Sequence, residues 1–141
     1  MNEDSYTQIQ TIVCPISHEA DVYVAIGRGR ELAFTIGLNE IDRARIEIAI
    51  SELTRNILVH ANNGVLHLST ILKDEHYGLV LEARDNGPGI PDIALAMRDG
   101  YSTTHTLGAG LPSVQRLMDE FFIESTVGVG TTVQAIKWLP A

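Results

Sequence analysis

The sequence predicts an α+β domain, a two-layer α/β sandwich in which helices cover one face of a mixed β-sheet. Three observations predict it. Segments of period-two and period-3.6 hydrophobicity follow one another in the order β-α-α-β-β-loop-α-β-β. No Pro/Ser-rich linker, internal repeat or low-complexity tract divides the chain. Its 141 residues, 45% of them hydrophobic, suffice for one core and leave no length for a second, so residues 1–141 are expected to form a single domain.

The elements follow in order. Thr7 to Ile16 alternates as a strand does. Ser17 is a candidate N-cap, and Val22, Ile26, Gly29, Ala33 and Ile36 form a stripe at helical spacing that Gly37 ends. Asn39 caps a second helix, with a core face of Ile46, Ala49, Ile50, Leu53 and Ile57 and an end near Ala61. Two strands, Val65–Leu72 and Gly78–Arg84, flank the polar turn Lys73-Asp74-Glu75-His76 and read as a hairpin. Asp85 to Leu107 is rich in glycine, proline and threonine, with room for a short helix at Asp92–Met97; a loop of that length in a compact domain is usually functional. A helix from Leu111 to Phe121 comes next. The last hairpin has strands Phe122–Thr126 and Thr131–Trp138 around a turn at Val127–Gly130.

Composition excludes several classes. Ten Lys and Arg against 18 Asp and Glu give a net charge of −8, which argues against a nucleic-acid partner and against docking on an anionic membrane. One cysteine, Cys14, rules out an internal disulfide framework and any Cys-rich metal site, and reads as a core residue in a reducing compartment. The N-terminus has no basic region followed by an apolar one, and no stretch approaches about 18 consecutive apolar residues, so a soluble cytoplasmic protein is expected.

Chemistry-bearing residues gather in the glycine-rich half. Seven of the twelve glycines lie between Gly87 and Gly130. Three G-x-G elements occur there, Asp85-Asn86-Gly87-Pro88-Gly89, Gly108-Ala109-Gly110-Leu111 and Gly128-Val129-Gly130-Thr131, each at an element boundary. Gly108 and Gly110 place backbone N–H groups at a helix start, an arrangement suited to phosphate. No Gly-x-x-x-x-Gly-Lys-Ser/Thr loop is present, the lysines are Lys73 and Lys137, and no G-x-G-x-x-G opens a helix after a first strand. A phosphate site must therefore use backbone N–H groups, arginine, and a metal held by oxygen. Upstream, Glu52 and Asn56 stack one turn apart beside the core residues Leu53 and Ile57. Position alone leaves two readings open: a solvated carboxylate with an amide neighbour, or a base plus an amide oxygen able to ligate Mg²⁺. The five histidines show no ligand spacing, His60 reads as a residue favoured by a helix C-terminus, and Trp138 as an anchor of the last strand.

Taken together, Glu52-x-x-x-Asn56, Asp85-x-Gly87-x-Gly89, Gly108-x-Gly110 and Gly128-x-Gly130-Thr131 resemble, in order and spacing, the GHKL (Bergerat-fold) ATP-binding family over nearly the whole chain. That family takes in gyrase, heat-shock 90 chaperones, mismatch-repair ATPases, histidine kinases and anti-sigma-factor kinases. More narrowly, Ala49-Ile50-Ser51-Glu52-Leu53, Asn86-Gly87-Pro88-Gly89-Ile90-Pro91-Asp92-Ile93 and Leu107-Gly108-Ala109-Gly110-Leu111-Pro112 are similar to the stressosome switch serine/threonine kinases of general-stress sigma-factor regulation. Arg116-Leu117-Met118-Asp119-Glu120-Phe121 and Gln134-Ala135-Ile136-Lys137-Trp138-Leu139 extend that likeness.

The resemblance implies roles. Glu52 is the general base toward a serine or threonine hydroxyl, and Asn56 ligates Mg²⁺ between the phosphates. Asp85 accepts from the adenine amino group, Gly87 and Gly89 let the backbone pass close to the base, and Thr131 assists at the adenine pocket. Gly108, Gly110 and Leu111 present N–H groups to phosphate, and Met97–Leu107, with Ser102, Thr103 and Thr104, forms an ATP lid. Arg98 at the lid's start is either a charge-neutralising group or a solvated one, and Arg55 a surface or partner residue. The implied activity is an ATP-dependent protein serine/threonine kinase that acts on a STAS-domain antagonist or scaffold and switches to a PP2C-type phosphatase. Two alternatives stay open: an anti-sigma factor with kinase activity that binds a sigma factor, and a module that holds ATP without transfer. About 50 residues before Glu52 are too few for a phosphoacceptor helical hairpin, which disfavours a histidine kinase. The absence of a transducer region after Trp138 disfavours a gyrase-like ATPase.

Overall fold

The computed structural model describes residues 5–98 and 110–140. Its elements are β1 (Thr7–Ile16), α1 (Glu19–Thr35), α2 (Glu40–Ala61), β2 (Gly64–Lys73), β3 (His76–Asp85), α3 (Ile93–Ala96), α4 (Gly110–Leu117), β4 (Glu120–Thr126) and β5 (Gly130–Trp138). The strands form one sheet in the order β1-β2-β3-β5-β4.

The two-layer α+β class holds, with one correction. Every neighbouring pair in the sheet is antiparallel, so the sheet is not mixed. The connection through α3 and α4 does return β4 parallel to β3. Strand β5, however, folds back from the final turn and inserts between them, pairing antiparallel with both.

Helix starts follow local chemistry. Asn39 caps α2 by accepting the Asp42 N–H at 2.8 Å. Helix α1 begins one residue later than expected, with His18 at the cap; Asp21 in its first turn accepts the N–H groups of Ser17 and His18, both at 2.9 Å. Those two bonds hold the Asp21 carboxyl below its ordinary pKa. At the other end Gly37, at φ +94°, ends α1 as expected.

Helix α4 departs from expectation by stopping at Leu117, four residues short, and Phe121 lies in β4. A tertiary demand overrides the helical pattern. The Asp119 N–H bonds Ile136 O at 2.9 Å, and the Asp119 carboxylate accepts Trp138 N–H at 2.7 Å, which together start the strand. Lys137 then locks the corner. Its buried ammonium reaches Leu117 O at 3.3 Å, Asp119 Oδ1 at 3.3 Å and Asp42 Oδ1 at 3.4 Å, tying the end of α4 to the start of α2.

The core lies between sheet and helices. Ile46, Ala49, Ile50, Leu53 and Ile57 of α2 bury against Leu66, Leu68, Leu79, Leu81, Val133 and Ala135. Gly29 of α1 lets the two helices meet, because a Cβ there would strike Ile50 Cδ1. Cys14 is buried in this core, as expected. On the sheet's other face, Tyr6 and Trp138 pack over Ile71, Val80 and Ile136.

Candidate functional site

The candidate residues converge where the C-terminal half of α2, the start of α4 and the β3 and β5 ends nearest the final turn meet. Along one face of the sheet the register sets Gly64 opposite Asp85, Asp85 opposite Thr131, and Thr131 opposite Ser125. Two residues further along the same strands the row reads Leu66, Ala83, Val133 and Ile123, which is core. The first row therefore continues the helix-covered face to its edge, where it turns polar.

The glycines of the row permit close approach. A Cβ on Gly64 would meet Arg84 O and Ile57, and one on Gly130 would meet the backbone of Asp85 and Asn86. A Cβ on Gly87 would come within 2.7 Å of Ala61 Cβ, so the last turn of α2 rests on this loop. Asp85 Oδ1 accepts the Gly87 N–H at 2.9 Å, a local turn that orients the carboxylate. Gly89, at φ +79°, leans on the β4–β5 turn, where a Cβ would lie 2.5 Å from Thr126 O. The Gly128 N–H returns a bond to Pro88 O at 2.8 Å.

Ser125 was not among the residues the motifs single out, yet it joins both sides. Its Oγ lies 2.8 Å from Ile90 N, 2.7 Å from Thr131 Oγ1 and 3.2 Å from Gly130 O. Period-two counting forward from Ile123 signals only its face, setting Ser125 inward, where a hydroxyl needs partners; which partners it meets depends on the β4–β5 register.

On the helix side, Glu52 and Asn56 are half-buried, one turn apart, and the buried Leu53 and Ile57 fix α2 on the sheet. The Glu52 carboxylate accepts the backbone N–H of Gly110, the first residue of α4. Burial pushes the Glu52 carboxyl above its ordinary pKa, and the Gly110 N–H and the Arg55 charge offset part of that rise. Gly110 has φ +52°, the left-handed region that glycine adopts freely. Leu111 turns its side chain into the core and can offer only its backbone.

Arg55 does not enter the site. It is held over the Tyr23 ring, 5.7 Å from the centroid, with bonds to Glu19 and to Ser51 Oγ at 3.2 Å. Arg98 is exposed at the end of the described segment, where its N–H bonds Leu95 O at 3.1 Å. Gly108 and most of the expected lid, with Ser102, Thr103 and Thr104, lie outside the described residues. Among the described residues, no group of three His, Cys, Asp or Glu could hold a metal ion, and no helix is long and apolar enough to cross a membrane. A divalent cation here could take Asn56 as a protein oxygen, with phosphate oxygens and retained waters completing its shell, as Mg²⁺ keeps several waters beside nucleotides.

Residues 17–137 match the family model of the histidine kinase-like ATPase domain. The chain is 47% identical over 139 residues to the serine/threonine-protein kinase RsbT of Bacillus subtilis, covering 99% of each chain. It is 38% identical over 100 residues to the anti-sigma F factor of Geobacillus stearothermophilus, covering 65% of this chain and 66% of the other. A crystal structure of the RsbU and RsbW domains of Rv1364c from Mycobacterium tuberculosis superposes with a TM-score of 0.65 at 19% identity. That match covers 94% of this chain and 34% of the longer one, a likeness of fold.

Proposed function

We propose, from the premise that this chain belongs to the histidine kinase-like ATPase domain family, a site-by-site mechanism for its phosphoryl transfer. The chain is a protein serine/threonine kinase that uses ATP. One observation carries the assignment of residues: α2 runs from the Gly110 N–H, where Glu52 sits, to the contact between Ala61 and Gly87. The nine-residue step from Glu52 to Ala61 spans about 13.5 Å of helix, room for a nucleotide lying with its base at Asp85 and its last phosphate at Glu52.

In this reading Asp85 accepts from the adenine amino group with Thr131 beside it, and Gly87 and Gly89 keep the base cleft open. Gly110 and Leu111 direct N–H groups at the phosphates from the start of α4, and the Gly108-x-Gly110 motif assigns Gly108 the same task. Asn56 lends its amide oxygen to Mg²⁺, which supplies charge neutralisation at the phosphates. The Gly110 N–H cannot serve carboxylate and phosphate equally well; an entering triphosphate takes it and leaves Glu52 free. Glu52 then receives the proton of the substrate's serine or threonine hydroxyl as that oxygen bonds to the γ-phosphorus. The bond from the γ-phosphorus to the β–γ bridging oxygen breaks, and ADP leaves with the electron pair. Burial raises the proton affinity of Glu52, which suits a base that must hold a proton for part of the cycle.

The whole-chain likeness to the serine/threonine-protein kinase RsbT, together with the motifs that resemble stressosome switch kinases, supports a STAS-domain antagonist or scaffold as substrate, a PP2C-type phosphatase as the second partner, and a cytoplasmic setting for a single domain. The likeness to anti-sigma F factors favours a second reading, a kinase that also sequesters a sigma factor. Labelled ATP with Mg²⁺ and a STAS-domain protein should label a serine or threonine; no label refutes the substrate assignment. Glu52→Ala should bind ATP and fail to transfer, and Asp85→Asn should bind ATP weakly; normal turnover by both refutes the site. A stable complex with a sigma factor is expected only under the second reading.

A further inference from the structure

Resting on that ATP reading, we propose that Ser125 fixes the hydrogen-bonding polarity of Thr131, so that the pocket selects a base presenting an amino group over one presenting a carbonyl at the same position. Ser125 lies opposite Thr131 in the β4–β5 register, and Asp85 lies opposite Thr131 on its other side. Thr131 is 7% exposed, so the partners of its hydroxyl are those the fold supplies and those a ligand brings.

A hydroxyl has one proton and two lone pairs. The Ile90 N–H takes one lone pair of Ser125 Oγ at 2.8 Å. The 2.7 Å contact between Ser125 Oγ and Thr131 Oγ1 needs one proton, from either side. If Ser125 gives it, the 3.2 Å contact to Gly130 O has none. If Thr131 gives it, Ser125 accepts twice and donates its own proton to Gly130 O, and all three contacts are satisfied at once. The second arrangement makes one more hydrogen bond from the same atoms, and at this half-buried position each bond made is a net gain.

Thr131 has then spent its proton on Ser125 and meets a ligand with lone pairs alone. Its neighbour Asp85, when ionised, is also an acceptor, with Oδ1 already engaged by the Gly87 N–H. Two acceptors side by side suit the exocyclic amine of adenine, which has two N–H groups to give. A base carrying an oxygen there brings lone pairs to lone pairs, and mispairing of buried polar groups discriminates strongly. Ser125 is thus a positioning residue for specificity: it touches Thr131 and the loop at Ile90, and sets what Thr131 can read.

The test measures dissociation constants for ATP and for inosine triphosphate, which carries a carbonyl in place of the amine, by calorimetry on the full chain. The variants are Ser125→Ala, Ser125→Thr, Thr131→Val and the Ser125→Ala/Thr131→Val double. Wild type should favour ATP. Ser125→Ala frees the Thr131 hydroxyl to donate, and should narrow the ATP-to-inosine-triphosphate ratio roughly three- to tenfold, the worth of one hydrogen bond. Ser125→Thr keeps the hydroxyl and should keep the ratio. In the Thr131→Val background, Ser125→Ala should narrow it no further. A Ser125→Ala variant that weakens both nucleotides by one factor, ratio intact, overturns the proposal, because Ser125 would then only brace the loop. Wild-type protein that binds neither nucleotide overturns instead the ATP reading beneath it.

Discussion

Gly89→Ala, measured beside Gly128→Ala, tests how the nucleotide loop is seated. Both glycines have nearly the same backbone, φ +79° and φ +80°, so each alanine carries the left-handed penalty of about 1–2 kcal/mol. Their surroundings differ. A Cβ on Gly128 meets nothing within 4 Å, whereas one on Gly89 meets Thr126 O at 2.5 Å, Thr126 C at 2.8 Å and Val127 Cα at 2.9 Å. Those atoms are backbone and cannot swing aside. Overpacking adds about 1–3 kcal/mol, which brings Gly89→Ala to about 2–5 kcal/mol. In a chain of this size each kcal/mol lowers Tm by about 2–4 °C, so melting should fall by about 2–8 °C for Gly128→Ala and by about 4–20 °C for Gly89→Ala. Function should separate them further. Lifting Gly89 off the hairpin moves the Ile90 N–H away from Ser125, and nucleotide affinity should drop at least about tenfold, as a loss of 1.4 kcal/mol suffices for that. Gly128→Ala should bind nucleotide as wild type does. Equal melting shifts and equal affinities in the two variants would refute the claim that contact with Thr126, rather than φ, is what demands glycine at 89.

Two further outcomes follow. Lys137→Met removes the buried ammonium that Asp42 and Asp119 share; Asp42 keeps Arg45 at 2.9 Å and Asp119 is 40% exposed, so thermal unfolding should register a cost of about 1–3 kcal/mol. Adding Asp42→Asn to that variant should restore part of it; a loss below about 1 kcal/mol, within the range of an exposed pair, would mean the cluster is solvated. For Glu52, burial raises the carboxyl above its ordinary 4.5 and so favours the protonated form in the folded chain. With Glu52 in its proposed role as base, transfer needs the carboxylate, so kcat should fall as pH drops through a value above 4.5. Stability runs the other way: the contribution of a raised carboxyl is present at low pH and lost as pH rises through the folded pKa. Glu52→Gln should therefore melt higher than wild type at neutral pH and level with it in acid; a variant that melts lower at neutral pH would contradict a dominant burial effect.

Much of the fold was legible because local and tertiary preferences agree. In α2, the Asn39 cap and the Ile46–Ile57 stripe point to the same helix the core requires. They parted at residues 118–121, where a helical pattern continues but Asp119 is claimed by β5 and Lys137. No periodicity within residues 111–121 could reveal that claim, since both partners are about twenty residues away. The sheet is antiparallel rather than mixed for a related reason, the insertion of β5 between β3 and β4. Candidate site residues were legible where glycine spacing marks a backbone constraint, as at Gly87, Gly89 and Gly130. Ser125 was not, because its role depends on a cross-strand register that exists only once β4 and β5 pair.

The site's parts are distant in sequence and adjacent only in the finished sheet: Glu52 and Asn56 on α2, Asp85 closing β3, Ser125 and Thr131 on the last hairpin. An unfolded chain therefore has nothing with which to grip a nucleotide, and whatever binds the assembled site holds the whole fold together by mass action. At a free ligand concentration a hundred times Kd the added stability is about 2.7 kcal/mol, a sizeable share of what a domain possesses. Melting temperature should therefore climb with the logarithm of free nucleotide concentration, so that a thermal melt reports occupancy of the site without any partner present.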